Sequence, residues 1–169
     1  MVGRLKLTLN LALVALVLGP VALHAQAQGR FRVLIPYFTP LGDADDDFGK
    51  DASKELRKLI NTLPTHVPIE EKEIKDQAKR FDTKIEDLTC VFTRQLASQI
   101  DAQVALCAEY NELPDKSWAV QKIVFWDIGS SEQFAVTDVT VGEKDEEMAA
   151  QHIFNEFDRY VQQIRAQGI

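Results

Sequence analysis

Residues 30–38 read RFRVLIPYF, and no other stretch narrows the possible folds as much. In an extended chain successive side chains point to opposite faces, so a nearly unbroken apolar run must be covered on both. That requires a sheet with helices layered against it. Pro36 falls near the end of the run, where a missing backbone donor costs little.

The rest of the chain supplies those helices. Phe48, Ala52, Leu56, Leu59, Ile60 and Leu63 recur at helical spacing, and Pro64 ends the repeat. THVPIE, Thr65 to Glu70, reads as a short strand, placed at a sheet edge by Pro68. A charged helix from about Glu71 to Phe81 buries Ile74, Ala78 and Phe81. A second amphipathic helix carries Leu88, Val91, Phe92, Leu96 and Ile100, with Thr89 as its cap. Three strands are then expected, Ala102–Tyr110, Ser117–Ile128 and Glu132–Val141, joined by hairpin turns at Asn111–Asp115 and Gly129–Ser131. A last helix starts near Lys144 and carries Met148, Ala149, Ile153, Phe157, Val161 and Ile164 on one stripe. The order β-α-β-α-α-β-β-β-α predicts an α/β (α+β) domain, a mixed sheet of about five strands with helices packed on it.

Residues 1–27 read as a signal peptide. Arg4 and Lys6 precede an apolar run from Leu11 to Leu18, Gly19-Pro20 breaks it, and Ala25-Gln26-Ala27 offers a cleavage site. The run is shorter than the about 20 apolar residues a bilayer span needs. Residues 28–169 are then a single domain, in the periplasm or secreted. Removing the leader leaves 17 basic and 26 acidic residues, a net charge of −9. Nucleic acid and anionic membrane both reward clustered Lys and Arg, so neither is an expected partner.

An exported chain can keep disulfides, and the two cysteines are Cys90 and Cys107. Ten helical residues rise about 15 Å and five to six strand residues about 16–20 Å. A helix from Cys90 that turns back at Asp101 therefore brings both sulfurs to similar heights, and the expectation is a bond between them. It requires Cys107 to face the helix layer. Two separately buried thiols are the alternative.

Motifs for chemistry are missing. The acidic stretch Asp43, Asp45, Asp46, Asp47 puts Phe48 and Lys54 where a calcium loop starting at Asp43 needs its glycine and bidentate glutamate, so no metal site is expected. Acids ahead of a helix instead offset the positive end of its dipole. His66 and His152 complete no zinc motif, and His152 is expected to pair with Glu156 one turn on. No G-x-S-x-G, phosphate loop or dinucleotide fingerprint occurs. Neither catalytic residues nor a cofactor is expected. Trp118 and Trp126, with Lys122 between them, are expected on one face of a strand, either as core or as an exposed interaction surface.

Three motifs resemble the TolB amino-terminal-domain family, whose fold is shared with the curli-secretion lipoprotein CsgG and the penicillin-binding-protein activator LpoB. Val33-Leu34-Ile35-Pro36-Tyr37-Phe38 with Asp45-Asp46-Asp47-Phe48-Gly49 and Leu56–Leu63 match its opening strand, acidic loop and helix. Residues Ile100–Ala108 stand where the family has G-V-D-Y-V-L-x-G, with Ala108 for the glycine. Residues Val124–Glu132 match L-x-D-x-x-T-G-E with the glycine one residue early. The resemblance implies a non-catalytic envelope domain working through protein contacts with a partner protein. The alternatives are a small-ligand-binding protein holding its ligand between sheet and helices or, third, a hydrolase with an unrecognised carboxylate site. An apolar pocket with a few converging polar groups would distinguish the ligand-binding protein from a docking module.

Overall fold

A computed structural model describes residues 30–166, with side chains through residue 163. The expected leader, residues 1–27, lies outside the described residues, as does the side chain of Ile164.

The chain runs β1 (Phe31–Leu34), β2 (Thr39–Pro40), α1 (Asp46–Ile60), β3 (His66–Pro68), α2 (Glu71–Arg80), a short 3-10 turn, α3 (Cys90–Gln99), β4 (Val104–Glu112), β5 (Trp118–Asp127), β6 (Gln133–Ala135), β7 (Val139–Val141) and α4 (Glu146–Ala166). These strands form one mixed sheet of seven, ordered β3-β1-β4-β5-β6, with β2 beside β4 and β7 beside β5. Strands β3, β1 and β4 are parallel; β5 runs antiparallel to β4, β6 and β7.

Apolar residues at both parities of the first strand are covered as expected. Val33 and Ile35 enter one core with α1 and α4, while Leu34 enters a second core with α2 and α3. The helices form for local reasons. Asp45 caps α1 by accepting from the Asp47 amide at 3.0 Å, and Asp46 and Asp47 occupy its first turn. Thr89 caps α3 through the Phe92 amide.

The structure departs from the expected order in two places, the first in the antiparallel half. Between the pairs Cys107–Val124 and Glu109–Gln121, the single residue Ala108 of β4 opposes two residues of β5, Lys122 and Ile123. This is a β-bulge, with Lys122 at φ 51°. One straight strand cannot follow β5 through that bend. The segment expected as a single strand, Glu132–Val141, is therefore split into β6 along Val124–Trp126 and β7 along Trp118–Val120. Between them Val136 donates to the Ile123 carbonyl, and Asp138 Oδ1 accepts from the Lys122 amide that the ladder leaves over. The other additional strand, β2, is two residues long and extends the parallel half past Pro36.

Candidate functional site

At the end of the sheet where β1 begins and β5 finishes, the layer beneath α4 does not close. Aromatic side chains from five elements ring the gap through a continuous series of contacts. Phe31 meets His66 at 5.4 Å between centroids, His66 meets Phe157 edge-on at 5.1 Å, and Phe157 stacks on Phe125 at 4.4 Å. Phe125 continues to Phe134 at 6.4 Å, which stacks on Tyr160 at 4.4 Å. Val104 and Val161 complete an apolar lining around a cavity of about 230 Å³.

Polar groups converge on this lining from Thr65, His66, Gln103, Asp127 and Tyr160. Thr65 Oγ1 lies 2.9 Å from His66 Nδ1. The Gln103 side chain accepts from the Arg32 amide and donates to the Asp101 carbonyl, so it is engaged at both ends. Asp127 Oδ1 accepts from the Ser130 amide at 2.7 Å and holds the turn after β5. Burial raises the Tyr160 pKa, and the charges of Glu132 and Asp127 raise it further.

A second cluster lies at the other end of β1. Arg57 reaches the Ile35 carbonyl at 2.8 Å and pairs with Glu71 at 2.9 Å, while Tyr37 and Lys75 both donate to Glu71 Oε1. Every charge in it is spent on a neighbour, which makes it a brace between α1 and α2.

The other sequence-expected residues are placed as follows. Trp118 and Trp126 do not share a face, because the bulge between them reverses the parity of β5. Trp118 is buried with α1 and α4, donating to the Glu143 carbonyl and stacking on Phe48. Trp126 packs on the opposite side, against the core of α2 and α3. Lys122 points to solvent and forms an ion pair with Glu109 Oε2 at 2.7 Å. His152 contacts the Thr137 carbonyl at 2.8 Å rather than Glu156, which pairs with Arg159 instead. Cys90 and Cys107 are joined across α3 and β4, with Cα atoms 5.2 Å apart, inside the usual disulfide range. The carboxylates of Asp45, Asp46 and Asp47 lie within 4.8 Å of one another on the exposed cap of α1. Among the described residues, no helix is long and apolar enough to cross a membrane.

No family model matches the chain, and no curated protein matches its sequence. Solved structures do match. The LpoB C-terminal domain from Escherichia coli aligns with a TM-score of 0.52 at 11% identity, over 68% of this chain and 84% of that one. Lipoprotein GNA1162 from Neisseria meningitidis aligns at 0.53 and 11%, over 75% and 95%. TolB from Acinetobacter baumannii aligns at 0.51 and 6%, over 79% and 28%. At these identities the likeness shows a common fold and nothing finer. LpoB fits it as well as TolB does.

The cavity was not visible in the sequence. Phe157 read simply as core, and Phe31, Phe125, Phe134 and Tyr160 are scattered over 130 positions. Only the topology brings β1, β3, β5, β6 and α4 to one end of the sheet.

Proposed function

We propose that the chain is an exported, non-catalytic binding domain of the bacterial cell envelope, related to the TolB amino-terminal and LpoB domains, that works through contacts with a partner protein. Residues 1–27 are its signal peptide and residues 28–169 its single domain. The common fold with LpoB and TolB carries this reading. Two features support it: the disulfide suits an oxidising compartment, and the titratable residues of the Arg57–Glu71 cluster are tied into structural pairs.

The contact face we assign is the shallow cleft between α3 and the end of β5, lined by Val91, Arg94, Gln95 and Trp126. Val91 is 73% exposed, and an apolar side chain so open at a helix start suits a docking surface. A photo-crosslinking residue at Val91 in the full chain, expressed in a Gram-negative host, gives a discrete adduct in the envelope fraction. The same residue at Met148, exposed on α4, gives none. Equal labelling from both positions, or from neither, contradicts the assignment.

A second reading is favoured by the cavity under α4. An apolar pocket with a few converging polar groups is what a small-ligand protein carries and a filled docking module lacks.

A further inference from the structure

From the aromatic ring under α4 and the Asp127 carboxylate in its lining, we infer that the cavity is a binding site for a small organic cation, a one-ring or methylated ammonium compound. This inference rests on the small-ligand reading above and names the class of ligand.

Size sets the first limit. At about 230 Å³ the space exceeds the roughly 150 Å³ that admits benzene and falls short of the about 300–1,000 Å³ of pockets for larger ligands. It holds one ring or one compact branched head.

Surface chemistry sets the second. The walls are largely aromatic, with Phe31, Phe125, Phe134, Phe157 and Tyr160 all lining the space. Aromatic walls attract a cation because each ring face carries partial negative charge, and the attraction grows when water is excluded.

Charge sets the third. No lysine or arginine is among the described lining residues. Arg30, next to Phe31 in the chain, is turned away onto the Asn61 and Leu63 carbonyls. Among the described lining residues the one carboxylate is Asp127. An anion would meet the Asp127 carboxylate and no lysine or arginine, and a neutral ring would use the walls but not the charge. A cation uses both.

Three probes of equal heavy-atom count separate these cases: benzyltrimethylammonium, neutral N,N-dimethylbenzamide and anionic phenylmethanesulfonate, each titrated into the full chain by calorimetry and ligand-observed NMR. The expected result is saturable binding of the ammonium in about the 0.1–1 mM range. The amide should bind about tenfold more weakly and the sulfonate not measurably. Asp127→Asn keeps the acceptor for the Ser130 amide and removes the charge. It should weaken the ammonium about three- to tenfold and leave the amide unchanged. Phe134→Leu keeps an apolar filler and should weaken the ammonium by at least about threefold. If the amide binds as tightly as the ammonium, or Asp127→Asn has no effect on the ammonium, the cation assignment is overturned while a small-ligand site stands. If no probe binds, both fall.

Discussion

Gly49 shows how tightly single positions are specified. A Cβ added there would sit 2.5 Å from both the Phe38 carbonyl oxygen and Tyr110 Cε1. The oxygen is backbone, and Tyr110 is fixed by its own bond to the Asp45 carbonyl at 2.6 Å, so neither can yield cheaply. Gly49→Ala should lower stability by about 1–3 kcal/mol, read from the urea midpoint at unchanged slope. The same environment pushes the Tyr110 pKa up to about 12, through burial and then the charges of Asp46, Asp45 and Asp47. Glu71 tells the opposite story. Burial alone would raise its pKa, but the hydrogen bonds from Lys75 and Tyr37 and the charge of Arg57 outweigh it and hold the carboxyl below its ordinary value. A depressed folded pKa means that Glu71 contributes stability above the unfolded value, about 4.3. That contribution is lost as pH falls through the lower folded pKa. Glu71→Gln should therefore reduce stability at pH 7 and flatten the acid limb of the stability curve below about pH 4, measured by denaturant titration across pH.

At the scale of elements, the disulfide and the bulge decide how α3 and the antiparallel half are held. Cys90 is the first residue of α3 and Cys107 lies in the middle of β4, so the bond pins a helix start to a buried strand. Closing a loop of 17 residues' separation is worth about 3 kcal/mol on the chain-entropy account. Replacing both cysteines by serine should cost about 2–4 kcal/mol, and intact mass of the oxidised chain should fall two hydrogens below that of the reduced form. Two thiols open to alkylation in the unfolded, unreduced chain would contradict the bond. Such elements were legible because their causes are local. The cap at Thr89, the acids ahead of α1, the double-sided run at Val33–Ile35 and the edge position forced by Pro68 all follow from neighbours in sequence. The split of the last strand and the separation of Trp118 from Trp126 did not. Both depend on Lys122 adopting φ 51°, a conformation common for glycine but not for lysine, stabilised by Asp138 from the segment between β6 and β7. The cavity was hidden for the same reason, its walls being assembled by sheet order rather than by spacing.

For the molecule as a whole, two cores on opposite faces of one sheet carry the fold, and apart from the buried Arg57 the charge of the described residues is left to the surface. The acidic cap of α1 belongs to that surface. Asp45 already serves the Asp47 amide and Asp47 faces Lys50 at 3.8 Å, so the cluster is engaged in holding a helix end. Millimolar calcium should shift the melting temperature of the full chain by less than about 1 °C. Asp45→Ala should lower it with or without calcium, through loss of a cap worth about 1 kcal/mol. A rise of many degrees that Asp45→Ala and Asp47→Ala together abolish would instead establish a metal site. The sheet's borders carry a different consequence. One margin is β3, three residues closed by Pro68, and the other is broken into β6 and β7, three residues each, by the bend at Lys122. A filament growing by strand addition needs a long, flat, unpaired rim as its template, and this molecule offers only fragments of one. Copies crowded at high concentration are thus denied the cheapest route to polymerisation, and any higher assembly they enter must be built through side chains.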